Sequence, residues 1–368
     1  MHYLDANATE PLRPAARAAV LAALDLTGNP SSVHSPGRAA RRVVEAARTV
    51  LAARFGARPE DLVFTSGATE ANALAIHALG SGNGGIARRL IVGATEHDAV
   101  RAAAPNAAVL PVDCNGVAEL DALDALLRDS GPALVCLMLA NNETGTMQPI
   151  AHTAALCRRH GARLHVDAVQ AAGRIPVDLM VLGADSLALS SHKLGGPMGA
   201  GALLLAPELS AVPALIRGGG QERGRRGGTP PVPAIAGFAA AAAIDSTPRA
   251  DLRDAIERIA VSAGAVVCGG GAPRLANTTC LALPGIRADA QVIALDLDGI
   301  AVSAGAACSS GKVTSSHVLT AMGLGALAGQ AIRVSLPWNA TEADVAAFAA
   351  AYPRMASRLR EALVSRAA

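Results

Sequence analysis

Aromatic side chains are almost missing from this chain: its 368 residues include one Trp, two Tyr and four Phe, 2% of the total. The hydrophobic share is still 51%, so alanine, valine and leucine must fill a core that a chain of this length can bury. That excess reads as a coding bias toward alanine rather than as a membrane protein, since no uninterrupted run of about 18 apolar residues occurs. Met1–Glu10 lacks the basic, apolar and small-residue order of a leader. A net charge of +2 gives no reason to expect nucleic acid or an anionic membrane as a partner. A soluble, cytoplasmic protein is the expectation. Six cysteines are widely spaced with no C-x-x-C pair, which argues against a zinc ribbon, and no metal site is expected. Five of them (Cys114, Cys136, Cys157, Cys268, Cys280) lie in apolar or mixed segments and read as small core residues.

The chain alternates short apolar runs with longer amphipathic ones. Residues 61–66, 89–94, 107–112, 133–140 and 162–168 read as strands, and 68–79, 119–129 and 150–160 as helices. Such alternation implies right-handed crossovers and a mostly parallel, buried sheet. Composition shifts at the Gly-, Arg- and Pro-rich stretch 217–233. Helical stretches follow near 234–263, then strands around 275–283 and 330–336, and a terminal helix from about Thr341 to Val364. The expected organisation is a large α/β domain over 16–245 and a smaller α+β domain over 246–368, with 1–15 packed on the smaller one.

Three stretches carry candidate chemistry. In "FTSGATE" (64–70), Gly67, Ala68 and Thr69 stand between a strand and a helix, where free N–H groups and the helix dipole favour phosphate. An ordinary capped turn fits the same residues, and the stretch lacks the G-x-G-x-x-G dinucleotide fingerprint. "LHVDAVQ" (164–170) puts Asp167 at the C-terminal end of a buried strand, where ligands sit in open α/β sheets. It could face a protonated heterocyclic nitrogen or cap the next helix, while Gln170 could donate to a neighbouring oxygen. Lys193 follows the next strand-like run, after Ser190, Ser191 and His192. An amine in a dry site becomes a usable nucleophile toward carbonyls. A phosphate cradle, a strand-end acid and a Schiff-base lysine are together the minimum for holding pyridoxal phosphate.

With "YLDANAT" (3–9), "GNPSSVHSPGR" (28–38), "TEHDAV" (95–100), "NNETGTMQPI" (141–150), "SSHKLGGPMGAGAL" (190–203), "GGGQERGRRGGT" (218–229), "SAGAACSSG" (303–311) and "AIRVSL" (331–336) added, the chain resembles the pyridoxal-phosphate-dependent cysteine desulfurases of the NifS/IscS type, in the class V aminotransferase superfamily. The resemblance covers nearly the whole chain. It implies a fold-type I enzyme, a homodimer with shared sites, that converts L-cysteine to L-alanine and passes sulfur as a persulfide to an acceptor or scaffold protein, for instance in iron–sulfur cluster assembly. Residue by residue, it implies that Lys193 forms the Schiff base and later moves the α-proton, that Asp167 pairs with the pyridinium nitrogen, and that Gln170 meets the phenolic oxygen. His97 would stack on the ring and assist proton transfer, although on spacing alone a surface histidine at a helix start is the stronger reading. Ala68, Thr69, Ser190 and His192 would hold phosphate, with Thr229 reaching the partner subunit's cofactor. Asn142 would sit beside cofactor and substrate, Arg333 would clamp the substrate carboxylate, and Asn7 and His34 would be neighbours of the site. Cys308 would be the thiol that attacks the substrate's sulfur.

The match has departures. Glu10 stands where many relatives have Thr, Gly227 where Ser is common, and the surroundings of Cys308 are poorer in hydroxyls than the usual pattern. A selenocysteine lyase or another class V aminotransferase-type enzyme would share Lys193, Asp167 and Arg333 without needing Cys308.

Overall fold

The computed structural model describes residues 1–81, 87–128, 131–209, 212–245, 247, 249–305 and 315–367. In chain order the elements are β1 (His2–Tyr3), α1 (Pro14–Leu24), α2 (Ser35–Arg54), β2 (Leu62–Thr65), α3 (Ala68–Gly80), β3 (Arg89–Gly93), α4 (Asp98–Ala103), β4 (Ala108–Leu110), α5 (Leu120–Arg128), β5 (Ala133–Cys136), α6 (Ile150–Arg159), β6 (Arg163–Asp167), α7 (Leu179–Leu182), β7 (Ser186–Ser190) and β8 (Gly201–Leu205). After them come α8 (Val232–Ala242), α9 (Ala250–Ser262), β9 (Val266–Cys268), β10 (Thr278–Ala282), α10 (Ala288–Leu297), β11 (Ile300–Ala301), β12 (Ser303–Ala304), α11 (His317–Ala321), β13 (Ala331–Ser335) and α12 (Glu342–Ala367).

A seven-stranded sheet runs β2-β8-β7-β6-β5-β3-β4. Its pairings from β7 across to β4 are parallel, and β8 runs against both of its neighbours. β2, two reversals from β7, therefore points the same way as the parallel strands. The strands β2, β5, β7 and β8 are buried along their whole length, as expected where helices cover both faces of a sheet. This is the α/β architecture expected, with one reversed strand inside it. The consequence for function is directional: the turns after β2, β3, β5, β6 and β7 all emerge on one rim, where open α/β sheets place their ligands.

A second, antiparallel sheet has the order β12-β13-β10-β9. It packs in its own apolar cluster with Leu252, Ile256, Leu295 and α12, where Phe348 and Tyr352 stack with ring centroids 4.9 Å apart. The N-terminal arm joins this cluster: β1 pairs with β11, Leu4 is fully buried, and Asp5 bridges to Ser335. The larger cluster runs through α1, α2, α8 and the seven-stranded sheet.

Several expectations shift in detail. The strand-like run 133–140 leaves regular sheet after Cys136, although Leu137 and Leu139 still donate to His165 and Asp167 on β6. The helical stretch 234–263 is two helices, α8 and α9. Cys136, Cys157, Cys268 and Cys280 are buried, whereas Cys114 is exposed in the turn after Asp113, because its neighbours Asp113 and Asn115 form a hydrogen-bonded turn there. No helix among the described residues is long and apolar enough to cross a membrane.

One glycine in β8 is required by close approach. A Cβ on Gly201 would lie 2.6 Å from the Gly67 backbone and 2.8 Å from the Leu189 carbonyl, contacts that neither backbone can relieve without moving. Gly201→Ala should therefore lower stability by about 1–3 kcal/mol, read as a shifted urea midpoint. An unchanged midpoint would mean that the turn at Gly67 yields freely.

Candidate active site

The rim of the seven-stranded sheet opens on a cavity of about 740 Å³. The sequence-predicted residues Asn7, Ala68, Thr69, His97, Asn142, Asp167, Gln170, Ser190, His192, Lys193 and Arg333 all line it. They come from both lobes of the sheet architecture: Asp167 ends β6, Ser190 ends β7, Ala68 opens α3, and Arg333 arrives from β13 of the antiparallel sheet. Thr229 does not line this cavity; it is exposed beside a separate hollow formed with Leu24, Pro30 and Pro230. His34 is exposed too and caps α2, accepting from Gly37 N at 3.2 Å. Cys308 lies outside the described residues.

Lys193 closes a short 3₁₀ turn after β7. Its Nζ donates to the Asn7 carbonyl at 2.5 Å and to the Ala8 carbonyl at 2.8 Å. The same Asn7 carbonyl accepts from Gln170 Nε2 at 3.1 Å. Asn7 thus reaches the cavity through its main chain, because its side chain is spent on the arm. Its Nδ2 donates to the Asn142 carbonyl and to Thr278 Oγ1, both at 3.0 Å, and its Oδ1 accepts from Asn277.

At the start of α3, Gly67 has no side chain to cap the helix, and the first N–H groups of a helix have no acceptor within it. The point where a Cβ of Gly67 would sit is open space. Thr69, Ser190 and His192 edge the same side of the cavity, which gives an anion amides, hydroxyls and an imidazole. Burial, then the charge of Lys193, lowers the His192 pKa to about 4, so the ring is neutral at physiological pH. His97 caps α4, with Nδ1 accepting from Ala99 N at 3.1 Å, as a histidine at a helix start would, and it also lines the cavity.

Arg333 is nearly fully buried. One nitrogen donates to Asp5 Oδ1 at 2.7 Å and another to the Asn142 carbonyl at 3.1 Å, while Nε has no partner. Asp5 was passed over in the sequence, although it stands inside "YLDANAT", because nothing local says that it will meet a residue near the other end of the chain. Asn72 and His165 were missed likewise, although His165 lies inside "LHVDAVQ" on the face of Asp167, and Asn72 lies one helical turn beyond Ala68 on its face.

Two further carboxyls stand close by. Glu96 is wholly buried; Met138 N donates to its Oε1, Oε2 has no hydrogen-bond partner among the described residues, and burial followed by the charge of Asp167 pushes its pKa well up. Glu143 accepts from Ser316 Oγ at 2.6 Å and packs against Gly305. Burial raises its pKa to about 7, against the opposing pull of the Ser316 bond and of Arg333. The folded protein thus holds a proton that the unfolded chain releases near 4.5, so this contribution to stability is full below about 4.5 and is lost as pH rises through about 7. Glu143→Gln should flatten the fall of the urea midpoint between pH 5 and pH 8. An identical pH slope in both proteins would refute the assignment.

Comparison with known proteins accounts for this constellation. The aminotransferase class-V family model matches residues 2–348. An IscS-like cysteine desulfurase of Mycobacterium tuberculosis is 38% identical, covering 100% of this chain and 99% of its own length. A cysteine desulfurase of Cereibacter sphaeroides is 40% identical, with 97% and 96% covered. Among solved structures, a NifS-like protein from Rickettsia africae superposes with a TM-score of 0.89 at 34% identity, covering 96% of this chain and 99% of the other. SspA, solved in complex with cysteine, gives 0.82 at 31% identity, over 92% and 99%. Sequence and fold agree, and the chain belongs to the class-V aminotransferase family, among its cysteine desulfurases of NifS/IscS type.

Proposed function

We propose that this chain is a pyridoxal-phosphate-dependent cysteine desulfurase that converts L-cysteine to L-alanine and carries the released sulfur as a persulfide on Cys308. The observation that carries the reading is the meeting of Lys193, Asp167 and Arg333 at one cavity, with the open start of α3 between the strand ends. The cavity's donors and acceptors suit the cofactor: backbone amides at Ala68 and Thr69 with Ser190 and His192 for a phosphate, the Asp167 carboxylate to accept from a ring nitrogen, and Gln170 to donate to a phenolic oxygen. His97 would lie against the ring face. Bound there, pyridoxal phosphate supplies an electron-withdrawing ring that eases bond cleavage next to the substrate's amino group.

The protein's own part is positioning and proton movement. Lys193 Nζ holds its protons against the Asn7 and Ala8 carbonyls, from which it can exchange one with the substrate's α-carbon. Arg333 presents a planar fork to the substrate carboxylate, with Asn142 beside it, and Asp5 keeps that fork oriented. The buried walls exclude water and strengthen each of these contacts. Cys308 takes sulfur from the substrate: an S–S bond forms as the C–S bond breaks, and the carbon left behind gains a proton to become alanine.

The reading includes two lobes, 16–245 and 1–15 with 246–368, supported by the two apolar clusters. It also includes a homodimer, in which exposed Thr229 reaches the partner's phosphate and the apolar rim of Leu24, Pro230 and Pro231 is covered. Delivery to an acceptor or scaffold protein, for instance in iron–sulfur cluster assembly, would take place in the cytoplasm, where thiols stay reduced.

The test is the absorbance spectrum of the purified protein before and after L-cysteine, with alanine and sulfide quantified under a reducing thiol. The expected result is a band near roughly 400–420 nm that responds to cysteine, with alanine and sulfide in equal amounts. Lys193→Ala should abolish the band, and Cys308→Ala should keep it while losing sulfide. Arg333→Lys should raise KM for cysteine by about tenfold. Alanine formation that survives Cys308→Ala would favour the selenocysteine lyase or a sister activity, and a protein that shows no band with added cofactor would overturn the reading.

A further inference from the structure

Behind Asp167 lies a chain of buried polar side chains that the reading above does not use. His165 stands two residues before Asp167 on β6, so both point to the same face of the sheet. Across the parallel ladder His165 is paired with Ser186 of β7, and above it stands Asn72 from the second turn of α3. All three are at most 1% exposed. Their contacts form one line: Ser186 Oγ to His165 Nδ1 at 2.8 Å, His165 Nε2 to Asn72 Oδ1 at 2.8 Å, and Asn72 Nδ2 to Asp167 Oδ2 at 2.7 Å. The other oxygen of Asp167 accepts from Val169 N at 3.0 Å.

Only two proton arrangements satisfy this line. Burial lowers the His165 pKa to about 3, so the ring is neutral and carries one N–H. With that proton on Nε2, His165 donates to Asn72 Oδ1, Ser186 donates to Nδ1, and the Asn72 amide must turn its NH₂ toward Asp167. With the proton on Nδ1, the amide flips and presents an oxygen to Asp167 at hydrogen-bond distance. Two acceptors would then face one another, unless Asp167 itself carried a proton. The tautomer of His165 and the charge of Asp167 are thereby one variable.

We propose that Asn72, His165 and Ser186 are a positioning relay that fixes Asp167 as a charged hydrogen-bond acceptor toward the ring nitrogen of pyridoxal phosphate. The relay rests on the cofactor assignment above. His165 and Ser186 lie behind the cavity wall and Asn72 at its edge; they act through Asp167, and helix α3 supplies the link. The turn that cradles the phosphate and the acid that faces the ring are therefore held in one register by the Asn72 side chain.

The test compares two cofactors on the full-length apoprotein: pyridoxal phosphate and its carbocyclic analogue, in which the ring nitrogen is replaced by carbon. Apparent dissociation constants are read by fluorescence, without turnover. Asn72→Leu should weaken binding of pyridoxal phosphate about tenfold or more, the order expected for a lost hydrogen bond to a charged group, and should leave the analogue within about twofold. Ser186→Ala, a smaller change, should show the same selectivity at reduced size, and decides the matter should Asn72→Leu not fold. Equal weakening of both cofactors would make the three residues merely structural and overturn the relay, as would no weakening of either. Wild-type protein that binds neither molecule would instead overturn the cofactor reading itself.

Discussion

A half-buried amine needs acceptors, and Lys193 Nζ finds two in the main-chain carbonyls of Asn7 and Ala8. Taking a cation partly out of water costs free energy that such hydrogen bonds must offset, so the arm that carries these carbonyls is tied to the lysine. The arm is held there by contacts that have nothing to do with Lys193: β1 on β11, the Asp5 bridge to Ser335, and the Asn7 amide on Asn142, Thr278 and Asn277. One wall of the cavity is thus the start of the chain, pinned to its last third, while the lysine is presented by the large sheet. The arrangement of the whole fold is therefore carried by one short irregular segment. Gln170 and Arg333 both report on the same segment, one through the Asn7 carbonyl and the other through Asp5.

The charges around that wall divide cleanly by what each can find. Asp167 has two donors and a place on the cavity. Glu96 has one donor and one oxygen without a partner among the described residues, and burial pushes its pKa well up. Glu143 has a hydroxyl donor, and that bond and the charge of Arg333 oppose its burial. Desolvation raises the pKa of both glutamates, and their hydrogen bonds answer it unequally. Of the three, Asp167, the carboxyl with two donors, is the one that lines the cavity.

Much of the large sheet was legible in the chain. Strands buried on both faces read as continuous apolar runs, and 61–66, 89–94 and 162–168 fall within a residue or two of β2, β3 and β6. The reversal of β8 was not legible, because an apolar run carries no direction. α1 and α2 were passed over; α1 is so rich in alanine that its two faces barely differ. At the site, residues that face the cavity from strand ends and helix starts could be named from local motif context. The residues that orient them could not: Asn72 meets His165 across 93 positions, and Asp5 meets Arg333 across 328. Hydrogen-bond networks of that reach leave no periodic trace.

Gly227 and Glu10 each have a physical account in the fold. Gly227 runs so close to the segment 217–218 that a Cβ would lie 2.7 Å from Gly218 N; the Gly-rich turn here closes more tightly than a side chain would allow. Glu10 is buried, and its nearest cation is Arg174 at 3.8 Å, a guanidinium that is itself enclosed and has two nitrogens without hydrogen-bond partners. Burial raises the Glu10 pKa and lowers that of Arg174, each opposed by the other's charge. Neither would be tolerated alone, and together they have a directional effect. Arg174 can only donate, and it donates to the carbonyl and to Oε1 of Gln170. The Gln170 amide is therefore forced to turn its NH₂ away from Arg174, toward the Asn7 carbonyl and the cavity. The acid at position 10 thus acts at the site through the orientation of one amide, two contacts away.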